Sequence, residues 1–117
     1  MELRVIIAGG RDFDDYELLC RTMDTLLIHK SSVTVLCGKA KGADTLGERY
    51  AKDRGYTVEY YPADWEKFGR SAGYLRNEEM AKNADALVAF WDGKSKGTGH
   101  MISLARKHGL KIRVKQY

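Results

Sequence analysis

Glycine and cationic residues occur together in four short segments of the chain. These are 9–13 (Gly-Gly-Arg-Asp-Phe), 38–44 (Gly-Lys-Ala-Lys-Gly-Ala-Asp), 70–77 (with Arg70 and Arg76) and 92–98 (Asp-Gly-Lys-Ser-Lys-Gly-Thr). Glycine allows backbone N–H groups to approach a ligand closely, and lysine or arginine adds positive charge. This combination predicts a site for a phosphate-bearing molecule.

The elements that must position these segments follow from the apolar pattern. We predict strands at 3–8, 33–37, 57–61, 86–91 and 111–115, and helices at about 15–27, 43–54, 72–84 and 98–108. Apolar strands that alternate with helices indicate an α/β fold, a small doubly wound, Rossmann-like parallel sheet of about five strands with helices on both faces. Ligands bind such sheets beyond the carboxyl ends of the strands, so the four segments are expected on one rim. Asp14 and Glu17 form a predicted capping box for the first helix.

The candidate ligand-binding residues belong to these segments or are tryptophans close to them. They are Gly9, Gly10, Arg11, Asp12, Gly38, Lys39, Ala40, Gly42, Ala43, Asp44, Trp65, Arg76, Asn77, Trp91, Asp92, Gly93, Ser95, Gly97 and Thr98. A phosphate or diphosphate is expected against one subset of them, namely Gly10, Arg11, Lys39, Gly42, Gly97 and Thr98. A base is expected to stack near one of the two tryptophans, because aromatic rings offer a flat face to a base.

Several of these residues also have a structural interpretation. Arg11 either binds a phosphate or is a solvated turn residue, and Asp12 either accepts a hydrogen bond from a ribose hydroxyl or holds its turn. Asp44 is predicted to cap the second helix, where the helix dipole favours a carboxylate. Trp65 either stacks on a base or packs on the domain as a lid. Thr98 can cap the last helix and contact a phosphate at once.

Composition restricts the classes of protein. The chain has 117 residues, of which 44% are hydrophobic and 31% charged, which is the size and composition of one globular domain, 1–117. Cys20 and Cys37 lack the spacing of a metal site or a disulfide scaffold, which favours a reducing cytoplasm. We expect no metal and no cofactor. No signal peptide or membrane-spanning stretch is apparent, and we expect no membrane partner. Tyr16, Tyr50 and Tyr74 are candidates for a homo-oligomer contact.

Two common nucleotide-binding motifs are excluded. A dinucleotide fingerprint would require glycine at positions 11 and 14, which are Arg11 and Asp14. A phosphate loop that starts at Gly38 would require glycine at position 43, which is Ala43. Neither an ordinary NAD enzyme nor a phosphate-loop NTPase is therefore predicted.

Four motifs in order do resemble a known group. They are Gly9-Gly10-Arg11-Asp12-Phe13, Gly38-x-Ala40-x-Gly42-Ala43-Asp44, Ala72-Gly73-x-x-Arg76-Asn77-x-x-Met80 and Asp92-Gly93-x-Ser95-x-Gly97-Thr98. Together they resemble the YspA-like family of the SLOG superfamily, a Rossmann-like group that includes LOG phosphoribohydrolases and DprA. The resemblance covers nearly the whole chain and implies a nucleotide or nucleotide-derived ligand that the protein senses or processes.

The resemblance to LOG enzymes is incomplete at one position. Those enzymes have Arg-x-x-x-Met on one helix and Gly-Thr-x-x-Glu on another, and the resemblance implies that their arginine and glutamate serve catalysis. Arg76 and Met80 match the first motif, but Met101 stands where the glutamate belongs. Methionine cannot transfer a proton, and helical spacing directs Glu78 and Glu79 mostly outward. The sequence therefore favours a protein that is not this type of hydrolase.

Three functions are left open at this point. The favoured one is a protein that binds a nucleotide or nucleotide-derived phosphate ligand as a sensor or sequestering agent. The alternatives are a nucleotide-processing N-glycoside hydrolase that uses Arg76, and single-stranded nucleic-acid binding as in DprA. A net charge of only +4, with no basic stripe outside the rim, argues against a nucleic-acid partner.

Overall fold

The computed structural model describes residues 2–117, so Met1 of the predicted domain lies outside the described residues. Strands and helices alternate as predicted. Their bounds are β1 Glu2–Gly9, α1 Tyr16–Leu27, β2 Ser32–Cys37, α2 Ala43–Asp53, β3 Thr57–Tyr60, α3 Trp65–Phe68, a 3₁₀ turn Gly69–Ser71, α4 Ala72–Asn83, β4 Ala86–Trp91, α5 Lys96–Lys107 and β5 Lys111–Gln116.

The five strands form one parallel sheet in the order β3-β2-β1-β4-β5, which confirms the predicted fold class. The chain builds β1, β2 and β3 outward in one direction, then returns to place β4 on the other side of β1. The strand order therefore reverses between β1 and β4. In open α/β sheets this reversal leaves a crevice at the carboxyl ends of the two strands.

Both faces of the sheet are buried, which explains why its central strands are apolar throughout. Along β1, Val5 and Ile7 pack against α1 and α2 on one face, while Ile6 and Ala8 pack against α4 and α5 on the other. Burial of each large aliphatic side chain contributes about 1.5–3 kcal/mol. The two helical layers thus hold the strand ends rigidly enough to support a site.

The segment between β3 and α4 contains more structure than predicted. We expected a loop there, but Trp65–Phe68 forms a short helix that continues into the 3₁₀ turn. The side chain of Asp64 caps this helix, because its Oδ1 accepts a hydrogen bond from the Lys67 N–H at 3.1 Å. Four residues give too little periodicity for a sequence pattern to reveal a helix.

The expectation that Tyr50 offers an exposed contact surface is wrong. Its side chain is fully buried in the core, and its hydroxyl donates to Asp24 Oδ1 at 2.6 Å. Tyr16 is half-buried under the Arg49 guanidinium, whereas Tyr74 is 52% exposed. Homo-oligomer formation stays a prediction. Within residues 2–117, no helix is long and apolar enough to cross a membrane.

The N-terminus of α1 is capped by a different residue from the one predicted. Asp15 occupies the N-cap position, and its Oδ1 accepts a hydrogen bond from the Leu18 N–H at 3.0 Å. Asp14 lies one residue earlier and accepts only through its backbone carbonyl, from the Tyr16 N–H. The predicted capping box of Asp14 and Glu17 is therefore wrong by one residue.

This difference predicts unequal effects of two neighbouring substitutions. Asp15→Ala should lower the free energy of unfolding by about 1 kcal/mol, because a backbone N–H of the first turn loses its partner. Asp14→Ala should change it by roughly 0.5 kcal/mol or less, as at other exposed positions. Urea denaturation of the two variants measures both values. A larger loss for Asp14→Ala than for Asp15→Ala would contradict the observed cap.

Candidate functional site

A cavity of about 490 Å³ opens at the carboxyl ends of β1 and β4, where the strand order reverses. Four chain segments contribute to its walls: the loop after β1, the start of α2, one face of α4, and the loop that leads into α5. The lining residues are Ala8, Gly9, Gly10, Arg11, Asp12, Ala40, Asp44, Arg76, Asn77, Met80, Asp92, Ser95, Gly97, Thr98 and Met101. We call this the rim cavity, and it brings most of the predicted ligand-binding residues together.

The remaining predicted residues lie elsewhere. Gly38, Lys39 and Trp65 line a neighbouring cavity of about 280 Å³, which we call the side cavity. Its walls also include Lys41, Pro62 and Ala63, and it shares Arg11, Ala40 and Arg76 with the rim cavity. Gly42, Ala43, Trp91 and Gly93 line neither of the two.

The loop after β1 is joined directly to the start of α2. The Gly10 carbonyl oxygen accepts hydrogen bonds from the backbone N–H groups of Phe13 and Ala43, each at 3.2 Å. Gly42 has a φ of 75°, and a Cβ at this position would overlap the Gly10 carbonyl oxygen and the Arg11 backbone. Gly42 and Ala43 therefore shape the site by close backbone packing.

Two arginines face the rim cavity without a carboxylate partner. Arg11 is exposed at the cavity mouth, and within residues 2–117 neither Arg11 nor Arg76 forms an ion pair within 4.0 Å. The half-buried Arg76 donates from Nη1 to the Gly38 carbonyl oxygen and from Nε to Asn77 Oδ1 at 3.0 Å. Both arginines line the cavity, and a guanidinium group that has no ion-pair partner can form charge-assisted hydrogen bonds with an anion.

The N-terminus of α5 faces the same space. Its N-cap residue is Ser95, with no side-chain cap, so the N–H groups of its first turn are free for a ligand. Thr98 is 4% exposed and its Oγ1 lies 3.2 Å from Ser95 Oγ, so Thr98 does not cap the helix as predicted. The positive end of the helix dipole and these N–H groups favour an anion.

Asp44 is the one carboxylate of the cavity that is buried. It does not cap α2, because Gly42 holds the N-cap position; instead its Oδ2 accepts the Ala40 N–H at 3.3 Å. Burial raises the pKa of Asp44 to about 6, although the nearby charge of Arg76 and the Ala40 N–H act in the opposite direction. A buried carboxyl group beside a cation in a cavity is typical of functional sites.

The other two carboxylates of the cavity have structural partners. Asp92 Oδ1 accepts the N–H groups of Lys94 at 2.8 Å and Ser95 at 2.9 Å, which holds the loop before α5 and keeps the pKa of Asp92 low. Asp12 Oδ1 accepts the Tyr117 hydroxyl at 2.6 Å. Asp12 is exposed, so its second carboxylate oxygen remains open to a ligand.

Trp91 and Gly93 support the loop between β4 and α5. The Trp91 indole N–H donates to the Ser95 carbonyl oxygen at 3.0 Å, and its ring packs beside Gly99. Gly93 has a φ of 84°, a conformation that favours glycine. Trp91 is half-buried in this role, so Trp65 is the tryptophan with an open face.

Three further groups contribute to the site. Met80 and Met101 line the apolar part of the rim cavity. Met80 follows Arg76 by four residues and Met101 follows Thr98 by three, and this helical spacing could have placed each methionine on the cavity face of its helix. Asn77 is buried, with Nδ2 at 3.4 Å from His100 Nδ1. Tyr117 contacts Asp12 across 105 residues of sequence, a contact with no local sequence signal.

A metal site is not formed by these side chains. No group of three or more histidine, cysteine, aspartate or glutamate residues converges within the part of the chain that the structure describes.

The raised pKa of Asp44 predicts a specific pH dependence of stability. A carboxyl group with a folded-state pKa above its unfolded value stabilises the fold at pH below about 4, and this contribution is lost as the pH rises through about 6. Asp44→Asn should remove the loss, because the amide stays neutral and can still accept the Ala40 N–H. At pH 7.5 the variant should be more stable than the parent by about 1–3 kcal/mol, and at pH 4 nearly equal to it.

Urea denaturation from pH 4 to pH 8 measures this difference directly. Asp12→Asn is the matched control, since Asp12 is an exposed aspartate of the same cavity. A difference between Asp44→Asn and the parent that does not change with pH would show that the carboxyl group of Asp44 titrates normally.

The parallel α/β sheet, the reversal of its strand order and the cavity at that reversal together define a Rossmann-like fold. Residues 3–68 match the family described as "YAcAr: YspA, cpYpsA-related SLOG family". The chain belongs to this SLOG family, which confirms the resemblance seen in its motifs. Membership supports a nucleotide-related ligand-binding or processing role in general.

One similar protein is "Gene 61 protein" of Mycobacterium phage D29, which is 38% identical over 117 residues and matched over 93% of each chain. A solved structure, described as a predicted subunit of tRNA methyltransferase from Methanocaldococcus jannaschii DSM, has a TM-score of 0.50 and 14% identity. That match covers 97% of this chain and 66% of the other one. At this identity it shows similarity of fold alone.

Proposed function

We propose that the protein binds a nucleotide or a nucleotide-derived molecule in the rim cavity and acts as a sensor or sequestering protein. The observation that carries this proposal is the convergence of Arg11, Arg76 and the uncapped N-terminus of α5 on one cavity, where neither arginine forms an ion pair within 4.0 Å among the described residues. Each of these features favours an anion, and a phosphate accepts hydrogen bonds from all of them.

The arrangement of the cavity suggests how such a ligand is oriented. Its phosphate lies at Gly97 and Thr98, with Arg11 closing over it from the mouth. Asp12 and Asp44 accept hydrogen bonds, so they face the hydroxyl or N–H groups of the sugar and base and not the phosphate. Met80 and Met101 supply apolar contact for the sugar or the base ring.

A second candidate is hydrolysis of the N-glycosidic bond of a nucleotide. The position of Asp44 favours this reaction. Met101 replaces the glutamate of the LOG motif, but Asp44 supplies a buried carboxyl group to the same cavity as Arg76. Glu78 and Glu79 are directed elsewhere: Glu78 Oε1 lies 3.1 Å from His108 Nε2, and Glu79 Oε1 accepts the Asn83 amide at 3.4 Å. Asp44 is therefore the group that would carry the proton in such a reaction.

The binding proposal predicts that phosphate-bearing compounds stabilise the fold. At about 100 times its dissociation constant a ligand adds roughly 2.7 kcal/mol, which raises the Tm by about 10 °C in a domain of this size. Nucleoside monophosphates and dinucleotides should therefore shift the Tm in a thermal-shift screen, and the matching nucleosides should shift it much less. Equal shifts with and without phosphate would contradict the anion site.

The same screen has a matched pair of variants. Arg11→Ala should weaken binding of the best phosphate-bearing compound by about 1.5–3 kcal/mol, through loss of charge-assisted hydrogen bonds. The free energy of unfolding without ligand should change by roughly 0.5 kcal/mol or less. Arg106→Ala, an exposed arginine in the last turn of α5, should leave binding unchanged. Equal losses of affinity in both variants would show a nonspecific effect of charge.

The two candidate functions differ in what becomes of the bound compound. Each compound that shifts the Tm is incubated with the protein and followed by chromatography for several hours. An intact compound agrees with sensing or sequestering, whereas a released base agrees with hydrolysis. In the second case Asp44→Asn should abolish release while the compound still binds, and undiminished release by this variant would exclude Asp44 as the proton-transfer group.

A further inference from the structure

The side cavity is continuous with the rim cavity and has a different electrostatic character. The two share Arg11 and Arg76, and the side cavity adds Lys39 and Lys41. Among residues 2–117, no carboxylate lines the side cavity, whereas Asp12, Asp44 and Asp92 line the rim cavity. A ligand that reaches from one into the other thus passes from a wall that contains carboxylates to one whose charged residues are all cations.

The backbone holds Lys39 in a fixed position on this wall. Its φ of 62° lies in the left-handed region, which non-glycine residues adopt rarely and which persists only where the surroundings impose it. The Lys39 ammonium lies 5.0 Å from the centre of the Tyr60 ring and 3.6 Å from Glu48 Oε1. Glu48 also accepts a hydrogen bond from the Tyr60 hydroxyl and pairs with Lys52, so it shares its charge between two lysines.

Trp65 forms the opposite, aromatic wall of the side cavity. It is 54% exposed, and the edge of its ring rests beside Gly73 at the start of α4. A half-exposed indole in a cavity that four cations also line offers a stacking face for a base close to positive charge that can bind a phosphate.

We infer that the side cavity receives the second half of a dinucleotide, with its base stacked on Trp65 and a phosphate between the bases at Arg11 and Lys39. The inference rests on the proposed function, because the first half occupies the rim cavity. Asp64 and Glu66 flank Trp65, and Glu48 lies beyond Lys39. Carboxylates thus border the cationic surface next to its aromatic wall, which fits a ligand of two nucleotides better than a longer strand.

Calorimetric titration of the purified protein with three probes tests this inference. The probes are AMP, diadenosine diphosphate and an octamer of adenylate, with the guanine series run in parallel because the base is not specified by the cavity. We expect the dinucleoside diphosphate to bind roughly 5- to 150-fold more tightly than the monophosphate, the range for stacking one base on an aromatic side chain. The octamer should gain little over the dinucleotide.

Variants assign the gain to the side cavity. Trp65→Ala should reduce the ratio of dinucleotide to monophosphate affinity to near one, and Trp65→Phe should retain most of it. Phe68→Ala is the matched control, since Phe68 is an exposed aromatic residue of the same short helix that does not line the side cavity. It should leave the ratio unchanged. Circular dichroism melts confirm that each variant is folded.

Fluorescence provides a readout that does not depend on truncating Trp65. The chain has two tryptophans, so the only indole in Trp91→Phe is Trp65, and calorimetry first establishes that this variant binds AMP as the parent does, because Trp91 holds the loop before α5. Stacking of the second base should quench its emission upon addition of diadenosine diphosphate but not of AMP.

Each contrary result has a distinct meaning. Equal affinity for monophosphate and dinucleotide, or an unquenched Trp65, overturns the inference and leaves the proposed function intact. Affinity that continues to rise from dinucleotide to octamer overturns it in favour of a nucleic-acid strand. Failure of every probe to bind, together with a thermal-shift screen in which no phosphate-bearing compound raises the Tm, overturns the proposed function itself.

Discussion

The site depends on the close approach of two loops from neighbouring strands. The carbonyl oxygen of Gly10 accepts backbone hydrogen bonds from both its own loop and the first residue of α2, and Gly42 leaves no room for a side chain between them. This junction directs the start of α2, and with it Asp44, into the crevice at the reversal of strand order. The cavity walls contributed by α4 and α5 then close around a position that backbone geometry has already defined.

Electrostatics within this crevice are arranged at some cost to the fold. A carboxyl group buried beside Arg76 destabilises the protein at neutral pH, where an apolar or amide side chain would not. Two further features lower the free energy of unfolding. They are the left-handed conformation of Lys39 and the absence of a side-chain cap on α5. Natural proteins commonly retain such features where a ligand uses them, because binding groups must stay unsatisfied until the ligand arrives.

The sequence predicted the fold and the rim well, for identifiable reasons. Apolar strands that alternate with helices permit few topologies, and the strand-end rule places the glycine-rich loops together from the sequence alone. Side-chain direction was harder to predict. Lys39 has a left-handed backbone that its residue type does not predict, and the Trp91 indole N–H is held by a carbonyl four residues away. Tyr117 reaches Asp12 only through the completed sheet, so no local pattern could reveal it.

An amide-resolved nuclear magnetic resonance titration tests the central claim most directly. With the tightest phosphate-bearing compound, the account predicts that the largest shifts fall on the N–H groups of Gly97 and Thr98, with Arg11 next. The matching nucleoside should leave the α5 amides nearly unmoved. Largest shifts at the opposite end of the sheet, around Leu3 and Lys30, would contradict the account.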